Sequence, residues 1–319
     1  MPGARDADEA RPGRHTKDAP TPAGKKTARI RKPVWITIGA AALAVIAAVS
    51  VFAATDSPSS SPPPKVEKTT TSPAPSARPA VYFHTLPPNA KLPSGATCAR
   101  LVNESPSPEV RPQNARYNHT TGQHVPASFF PEGDLSQVAE LAPLITGDYT
   151  GTTEDILRWA ACKWGIDQNI VFAEAAVESW WQQSYLGDWT TDASTCPPGH
   201  GLGADGKPGE CPQSYGILQN KYTFEQSAWP ALGSSTAMNV DAMYAIWRSC
   251  YNGDEVWLNN EQKGQQYGAG DVWGCIGRWF AGSWYTPPAE QYISRVKQYL
   301  NQQVWLSPEF ARTTSNPNG

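Results

Sequence analysis

Residues 152–181, TTEDILRWAACKWGIDQNIVFAEAAVESWW, contain the pattern that decides the fold of this chain. Thr152 precedes two acidic residues, as at a helix start, and apolar residues then recur at three- and four-residue spacing until Gly165. Asp167 can cap a second helix with the same spacing of apolar residues. The stretch therefore predicts two consecutive helices with wide buried faces.

Helical patterns recur on either side of this pair. They predict further helices over residues 134–144, 237–250 and 289–300, the last started by two prolines. Residues 188–212 form a loop rich in Gly and Pro, and residues 81–151 are predicted to be a loop-rich extension wrapped on the main domain of residues 152–306. No alternating pattern of strand length is present, so the fold class is predicted to be mainly α.

The N-terminal part has a different composition. Residues 34–54 are uncharged and, at about 31 Å as a helix, long enough to cross a membrane. Basic residues crowd before them, which predicts a cytoplasmic tail over residues 1–33 and a single-pass signal-anchor in the cell membrane, with the C-terminal domain extracellular. The alternative is a cleaved signal peptide and a secreted protein. Residues 55–80 are a Pro/Ser/Thr-rich linker predicted to be disordered, and residues 307–319 a flexible tail.

Composition excludes one class of partner. Residues 81–319 contain fourteen Lys and Arg against twenty-three Asp and Glu. Because nucleic-acid-binding domains concentrate positive charge, this acidic part argues against nucleic acid as a partner. No cofactor is predicted, since a glycine-rich stretch at 199–206 lacks the flanking strand and helix of a phosphate loop and the spacing of a calcium loop.

All six cysteines follow the predicted membrane segment, as expected of three disulfides in an external domain. Fifteen pairings exist, and sequence proximity favours Cys196–Cys211 and Cys250–Cys275, which leaves Cys98–Cys162. The competing interpretation is a zinc site that uses Cys196, His200 and Cys211, but no fourth ligand stands at a suitable spacing.

The second helix contains two glutamates among apolar residues. Glu178 lies about 100° around the helix from Val177, with Trp181 nearby, so its carboxyl group is expected to be partly desolvated and protonated near neutral pH. A protonated carboxyl group is what acid-assisted cleavage of a glycosidic bond requires. Nothing else marks Glu174, which is interpreted as a solvated surface residue.

Four short motifs follow in order: Glu178-Ser179, Gly216-Ile217-Leu218-Gln219, residues 278–282 (RWFAG), and Tyr292-Ile293 with Val296. Together they resemble the soluble lytic transglycosylase (SLT) domain of the lysozyme-like superfamily, which includes goose-type lysozymes. The resemblance covers residues 152–306 and implies a lysozyme-like helical fold. The usual Ala-Tyr-Asn-Ala-Gly is here Arg-Trp-Phe-Ala-Gly, so the tyrosine and asparagine are missing.

The resemblance implies site residues. Glu178 matches the catalytic acid/base, Ser179 its hydrogen-bonding neighbour, Gln219 the glutamine that lines the sugar cleft, and Tyr292 the tyrosine whose hydroxyl approaches the glutamate. Trp279 and Tyr215 are further candidates for substrate binding. Seven tryptophans could stack on sugars, and about two of them are expected in the cleft: Trp180, Trp181, Trp189, Trp229, Trp273, Trp279 and Trp284.

The implied partners are peptidoglycan glycan strands, and the implied reaction is cleavage of the bond between N-acetylmuramic acid and N-acetylglucosamine. A lytic transglycosylase needs one carboxylate, whereas an inverting muramidase needs a second one, for which Asp188, Asp192 and Asp205 are candidates. Two alternatives stay open: a non-catalytic wall-binding module of the same fold, which the altered RWFAG motif favours, and a hydrolase of another polysaccharide such as chitin.

Overall fold

The computed structural model describes residues 80–130, 140–264 and 266–312, all within a unit that spans Thr71–Gly319. The predicted cytoplasmic tail, membrane segment and all but the last residue of the linker lie outside the described residues. Within the described ranges, no helix has the length and apolar composition needed to cross a membrane.

The described part is mainly helical, as predicted. In chain order its helices are α1 (Gly95–Asn103), α2 (Ala115–Asn118), α3 (Thr153–Trp164), α4 (Gln168–Ser179), α5 (Ala231–Ser234), α6 (Thr236–Asn252), α7 (Val272–Ala281), α8 (Pro287–Gln302) and α9 (Pro308–Arg312). Short 3-10 turns lie between them at Pro112–Asn114, Ala127–Phe129, Ala142–Leu144, Ala193–Thr195, Gln226–Ala228, Val256–Asn259, Glu261–Lys263 and Val304–Leu306.

A small antiparallel sheet accompanies the helices. Its strands are β1 (Leu186–Gly187), β2 (Ser214–Tyr215) and β3 (Asn220–Lys221), in the order β1-β2-β3. Each strand has two residues, too few to produce an alternating pattern in the sequence. The hairpin turn between β2 and β3 contains the Gly216–Gln219 motif.

The two helices that the opening stretch predicts form as expected. The Thr152 hydroxyl accepts a hydrogen bond from the Asp155 amide at 3.1 Å, and Gly165 ends α3 in the left-handed conformation at φ +60°. Asp167 caps α4 by accepting from the Asn169 amide at 2.9 Å. α4 packs against α3 and α8, while α3 also packs against α6, so α4 lies inside the helical bundle.

A buried ion pair fixes α3 against α6. Lys163 Nζ lies 2.7 Å from Asp241 Oδ2, and the Trp164 indole N–H donates to Asp241 Oδ1 at 2.7 Å. The backbone amides of Thr146 and Gly147 donate to the same carboxylate at 2.9 Å. A buried carboxylate is tolerated only when its oxygens are hydrogen-bonded, so Asp241 holds these three segments together.

Residues before α3 pack onto the helical pair. The Leu86 amide donates to the Gly165 carbonyl at 3.1 Å, and the Gln168 amide donates to the Phe83 carbonyl at 3.1 Å. Arg111 and Asn114 reach the C-terminal end of α4, as described below. The extension therefore caps both ends of α4.

The three predicted disulfide pairings are confirmed. Cys98–Cys162 joins α1 to α3, Cys250–Cys275 joins α6 to α7, and Cys196–Cys211 closes the long loop between β1 and β2. The last bond uses both sulfurs that the zinc interpretation required. His200 Nδ1 instead lies 2.9 Å from Asp205 Oδ1.

Two local predictions need correction. The prediction that residues 307–319 form a flexible tail is wrong for the first part of this range. Residues 308–312 form α9, and Phe310 is fully buried against Trp180 and Trp181. Residues 313–319 lie outside the described residues. Of the helix predicted at 134–144, residues 134–139 also lie outside them, and its end is the Ala142–Leu144 turn. Neither α1 nor α7 was expected from the sequence pattern.

Candidate active site

A cleft of about 840 Å³ opens at the C-terminal end of α4. The sheet, α7 and α8 supply its other walls. The acidic and basic side chains along it are Glu178, Asp188, Lys221, Glu225, Glu255, Lys263, Arg278 and Arg295. Four of the five residues predicted to bind substrate line this cleft together with Glu178: Ser179, Gln219, Tyr292 and Trp279.

Glu178 lies in the last turn of α4 and is partly buried. Burial raises the pKa of its carboxyl group to about 7; hydrogen bonds from Tyr292 and Trp279 oppose this shift, the charge of Asp188 adds to it and Arg295 opposes it. The negative end of the helix dipole also disfavours a carboxylate there. At neutral pH this group can both donate and accept a proton.

Tyr292 contacts two carboxyl groups. Its hydroxyl makes a short hydrogen bond with Glu178 Oε1 and lies 3.4 Å from Glu174 Oε1. The Tyr244 hydroxyl donates to Glu174 Oε2 at 3.0 Å. The approach of Tyr292 to the candidate acid is therefore as the resemblance implies.

Glu174 is buried, so its interpretation as a solvated surface residue is wrong. It is 0% exposed rather than solvated, and burial raises its pKa well above the usual glutamate value. Tyr244 on α6 and Tyr292 on α8 cover it, and neither helix is adjacent to α4 in the sequence. Its position four residues before Glu178, on an otherwise apolar helix, was the available signal.

The end of α4 is held in an unusual backbone conformation. Trp180 and Trp181, which directly follow Ser179, both have positive φ, at +57° and +62°. Arg111 Nε donates to the Trp180 carbonyl at 2.9 Å, and Asn114 Nδ2 donates to that of Trp181 at 2.7 Å. These bonds from the extension stabilise a turn that most side chains disfavour, and so fix the direction of Glu178.

Ser179 has a specific structural task. It is 2% exposed, and its hydroxyl donates to the Ile217 carbonyl at 2.8 Å. This bond ties the end of α4 to the turn between β2 and β3. Ser179 thus positions one wall of the cleft against the other.

The hairpin turn presents Gln219 to the cleft. Gln219 has φ +52°, and its side-chain Nε2 donates to the Gly216 carbonyl at 2.8 Å. Gly216 has φ +85°, and a Cβ atom there would overlap the side-chain amide of Asn239. Asn239 Nδ2 donates to the Tyr215 carbonyl at 2.8 Å, so the turn needs both a glycine and its buried asparagine.

Among the three aspartates considered as a second carboxylate, only Asp188 lines the cleft. Its partial burial raises its pKa, but hydrogen bonds from Ser214 and Lys221 and the Lys221 charge outweigh this, and the net shift is downward. The Ser214 hydroxyl donates at 2.7 Å and Lys221 Nζ at 3.0 Å. Asp188 is therefore an ionised group whose charge Lys221 already offsets.

Three predicted residues lie elsewhere. Asp192 caps the Ala193–Thr195 turn by accepting from the Ser194 amide at 3.0 Å, and Asp205 pairs with His200. Tyr215 is 2% exposed, its hydroxyl donates to the Pro212 carbonyl at 2.9 Å, and it does not line the cleft. Its alternation with Ser214 along β2 turns it away from the cleft and towards Trp229.

The altered RWFAG motif lines the cleft through other contacts. Trp279 lines the cleft and lowers the pKa of the Glu178 carboxyl group, and Phe280 is 58% exposed at the cleft surface. Arg278 Nε donates to Glu255 Oε2 at 2.5 Å. The substituted residues thus supply both a partner for the candidate acid and an exposed aromatic face.

Two acidic residues of the cleft were not predicted from the sequence. Glu255 pairs with Arg278, whereas Glu225 Oε2 is buried without a hydrogen-bond partner among the described residues. Burial raises the pKa of Glu225 to about 8, against the opposing charge of Arg278. Neither residue stands in a recognisable motif, so no local signal marked it.

Aromatic residues of the cleft differ from those expected. Of the seven tryptophans considered, Trp279 lines it, and Trp257, which was not among them, lines it too. Trp180, Trp181 and Trp284 are buried in the core. Three exposed aromatic rings at the cleft complete the set: Tyr185, Phe224 and Phe280.

The described residues contain no group of three or more His, Cys, Asp and Glu side chains arranged to hold a metal ion. In comparisons with known proteins, no protein-family model, no curated protein and no solved structure matched this chain. Its function therefore has to be inferred from the chemistry of the cleft.

Proposed function

We propose that this protein is a peptidoglycan-cleaving enzyme that cuts the β-1,4 bond after N-acetylmuramic acid, with Glu178 as its general acid/base. One observation carries the proposal: Glu178 is a carboxyl group at the wall of an open cleft, with its pKa raised to about 7. An acid with that pKa is suited to protonate a glycosidic oxygen near neutral pH.

The form of the cleft supports a sugar polymer as substrate. It presents exposed aromatic faces at Phe224, Phe280 and Tyr185, on which pyranose rings can stack. Gln219 donates its side-chain amide hydrogens to the Tyr185 and Gly216 carbonyls, which leaves its side-chain carbonyl oxygen to accept a hydrogen bond from a sugar hydroxyl or N–H group. The ordered motifs that resemble SLT domains favour peptidoglycan over chitin.

The arrangement of carboxyl groups in the cleft favours transglycosylation over hydrolysis. Glu178 would protonate the leaving oxygen and then, as carboxylate, accept the proton of the muramoyl 6-hydroxyl group as that oxygen closes onto C1. The product is a 1,6-anhydro sugar, and no water is consumed. A pKa near 7 lets one residue serve in both steps.

An inverting muramidase is the second candidate, because Asp188 also lines the cleft and its charge acts on Glu178. That reaction needs an ionised carboxylate about 6.5–9.5 Å from the acid to activate a water molecule. The pairing of Asp188 with Lys221 and Ser214 weakens it as a base, which favours the transglycosylase.

The location of the enzyme belongs to the same proposal. Three disulfides are typical of a domain outside the cytoplasm. We infer that residues 34–54 anchor the chain in the cell membrane and that the linker lets the domain reach the wall.

Mass spectrometry of purified sacculi digested with the full-length protein tests the function. Anhydro ends on the released muropeptides are expected, and reducing ends would select the muramidase. Binding to sacculi with no release would overturn the enzyme and leave a wall-binding module. A parallel digestion of chitin oligosaccharides should give no cleavage.

A further inference from the structure

Three helices bring a chain of oxygen atoms together behind the cleft. Tyr244 on α6 donates to Glu174 Oε2 at 3.0 Å, Glu174 Oε1 lies 3.4 Å from the Tyr292 hydroxyl oxygen, and that hydroxyl contacts Glu178 Oε1. Glu174 and Tyr244 are 0% exposed and Tyr292 is 5% exposed. Glu178 and Tyr292 line the cleft, whereas Glu174 and Tyr244 lie behind it.

The hydrogens in this chain can be counted. Tyr292 has one hydroxyl hydrogen and two carboxyl neighbours, so it cannot donate fully to both. Its contact with Glu178 is the shorter, which assigns the hydrogen to that bond. The contact with Glu174 then needs a hydrogen from Glu174 itself, on Oε1, because Oε2 accepts from Tyr244.

We propose that Glu174 is a neutral positioning residue, which donates a hydrogen bond to Tyr292 and thereby directs the Tyr292 hydroxyl at Glu178 Oε1. Burial keeps Glu174 protonated, since it raises the pKa well above the usual glutamate value, and Glu178 adds to this shift. Hydrogen bonds linked in this way polarise one another, which strengthens the bond that Glu178 accepts.

Other groups that act on these two carboxyls are few among the described residues. Asp188 from the strand end, Trp279 from α7 and Arg295 from α8 act on Glu178. Glu174 is influenced by Glu178, Tyr244 and Tyr292. Within the described part of the chain, Tyr292 has the one hydroxyl that contacts both carboxyl groups, so an effect of Glu174 on Glu178 that runs through hydrogen bonds must pass through it.

The consequence for catalysis rests on the proposed function. The Tyr292 hydroxyl donates its hydrogen bond to Oε1 of Glu178. The acid proton of Glu178 is then carried by the other oxygen, Oε2. The acid is then loaded on one defined atom rather than on either of two. Glu174 acts through Tyr292 and does not touch substrate.

Infrared difference titration of the full-length chain tests this link without substrate, so its outcome is independent of whether sacculi are cleaved. The carbonyl band of protonated Glu178 is assigned as the one lost in Glu178→Gln. Its midpoint is compared in the wild type, Glu174→Gln, Glu174→Leu, Tyr292→Phe and the Glu174→Leu/Tyr292→Phe double variant. The matched controls are Glu290→Gln, at an exposed position, and Tyr149→Phe, at a buried position. Neither residue lines the cleft.

Tyr292→Phe should raise the midpoint by about one pH unit, because the carboxylate loses a charge-assisted hydrogen bond. Glu174→Leu should raise it by roughly half a unit, whereas Glu174→Gln, whose amide can donate the same bond, should leave it unchanged. The double variant should match Tyr292→Phe alone, since the link is already broken.

Two results would overturn the proposal: an undiminished effect of Glu174→Leu in the Tyr292→Phe background, or a shift in Glu174→Gln as large as in Glu174→Leu. The first would mean that Glu174 acts directly through space. Circular dichroism verifies folding, and Glu174→Met, a second apolar substitute of similar volume, replaces the leucine variant if that one does not fold.

Discussion

The ring of Phe280 is stacked on the ring of Tyr292, with centroids 4.7 Å apart and an angle of 3° between the two ring planes. Tyr292 is buried and its hydroxyl contacts Glu178, whereas Phe280 is 58% exposed in the cleft. The stack thus joins the candidate acid to an exposed aromatic face. In the motif that resembles SLT domains, this face stands where an asparagine is usual.

Phe280→Ala should therefore weaken substrate binding more than folding. Loss of a stacked ring at a partly exposed site is worth about 1 kcal/mol, which corresponds to a KM roughly five- to tenfold higher on soluble glycan strands. Steady-state kinetics measure this. Val256→Ala, which removes an equally exposed apolar side chain that does not line the cleft, is the control and should leave KM unchanged.

The rate of glycan cleavage should fall as the pH rises above about 7. The folded-state pKa of Glu178 is raised, so the acid form is present below this value and is lost above it, by about tenfold per pH unit. The pH dependence of kcat/KM measures this fall in rate, the alkaline limb of the pH profile. A rate that stays constant well above neutral pH would rule Glu178 out as the acid.

Asp188→Asn should move the alkaline limb of the kcat/KM profile to lower pH, because the charge of Asp188 helps to raise the pKa of Glu178. Activity at low pH should stay within about tenfold of the wild type if one carboxylate suffices. A loss of several hundredfold, with reducing ends on the remaining product, would instead assign Asp188 the base of an inverting reaction.

Gly216→Ala should destabilise the hairpin turn and reduce activity. A Cβ atom at φ +85° is strained and also overlaps the Asn239 amide, so a loss of about 2 to 4 kcal/mol of unfolding free energy is expected. Gly199 is the matched control: its φ is +86°, but nothing lies within 4 Å of its Cβ position. Gly199→Ala should cost only about 1 kcal/mol in urea unfolding. Equal losses in the two variants would contradict the packing argument.

Glu225→Gln should stabilise the protein at alkaline but not at acidic pH. Its folded pKa, about 8, exceeds the usual value of 4.5, so the wild type loses stability as the pH rises between these values and the variant does not. The gain at about pH 8 relative to about pH 5 should be on the order of 3 kcal/mol. Thermal unfolding at the two pH values measures it, and a gain of the same size at both would contradict the assignment.

Local signals in the sequence were enough to predict α3 and α4 and the partial burial of Glu178. Caps at Thr152 and Asp167 and a stop at Gly165 are interactions within one turn, so α3 and α4 could be predicted from neighbouring residues. The disulfides were also predicted correctly, because two of the pairs are close in the chain.

Contacts between distant segments decided what the sequence did not reveal. Glu174 is buried because α6 and α8 place Tyr244 and Tyr292 over it, and no pattern within α4 contains that information. Likewise, Asp188 and Asp192 look alike in the sequence. The pairing of β1 with β2 directs only the first into the cleft, next to Lys221.

Release of soluble muropeptides from purified sacculi by the full-length Glu178→Gln variant tests the central claim most directly. The side chain keeps its size and can still accept a hydrogen bond from Tyr292, but it has no proton to give to the glycosidic oxygen. We expect release to fall by at least about a thousandfold with an unchanged circular dichroism spectrum, while Glu290→Gln on α8 retains wild-type release. Release by Glu178→Gln at the wild-type rate would show that another group cleaves the glycan and would contradict the account.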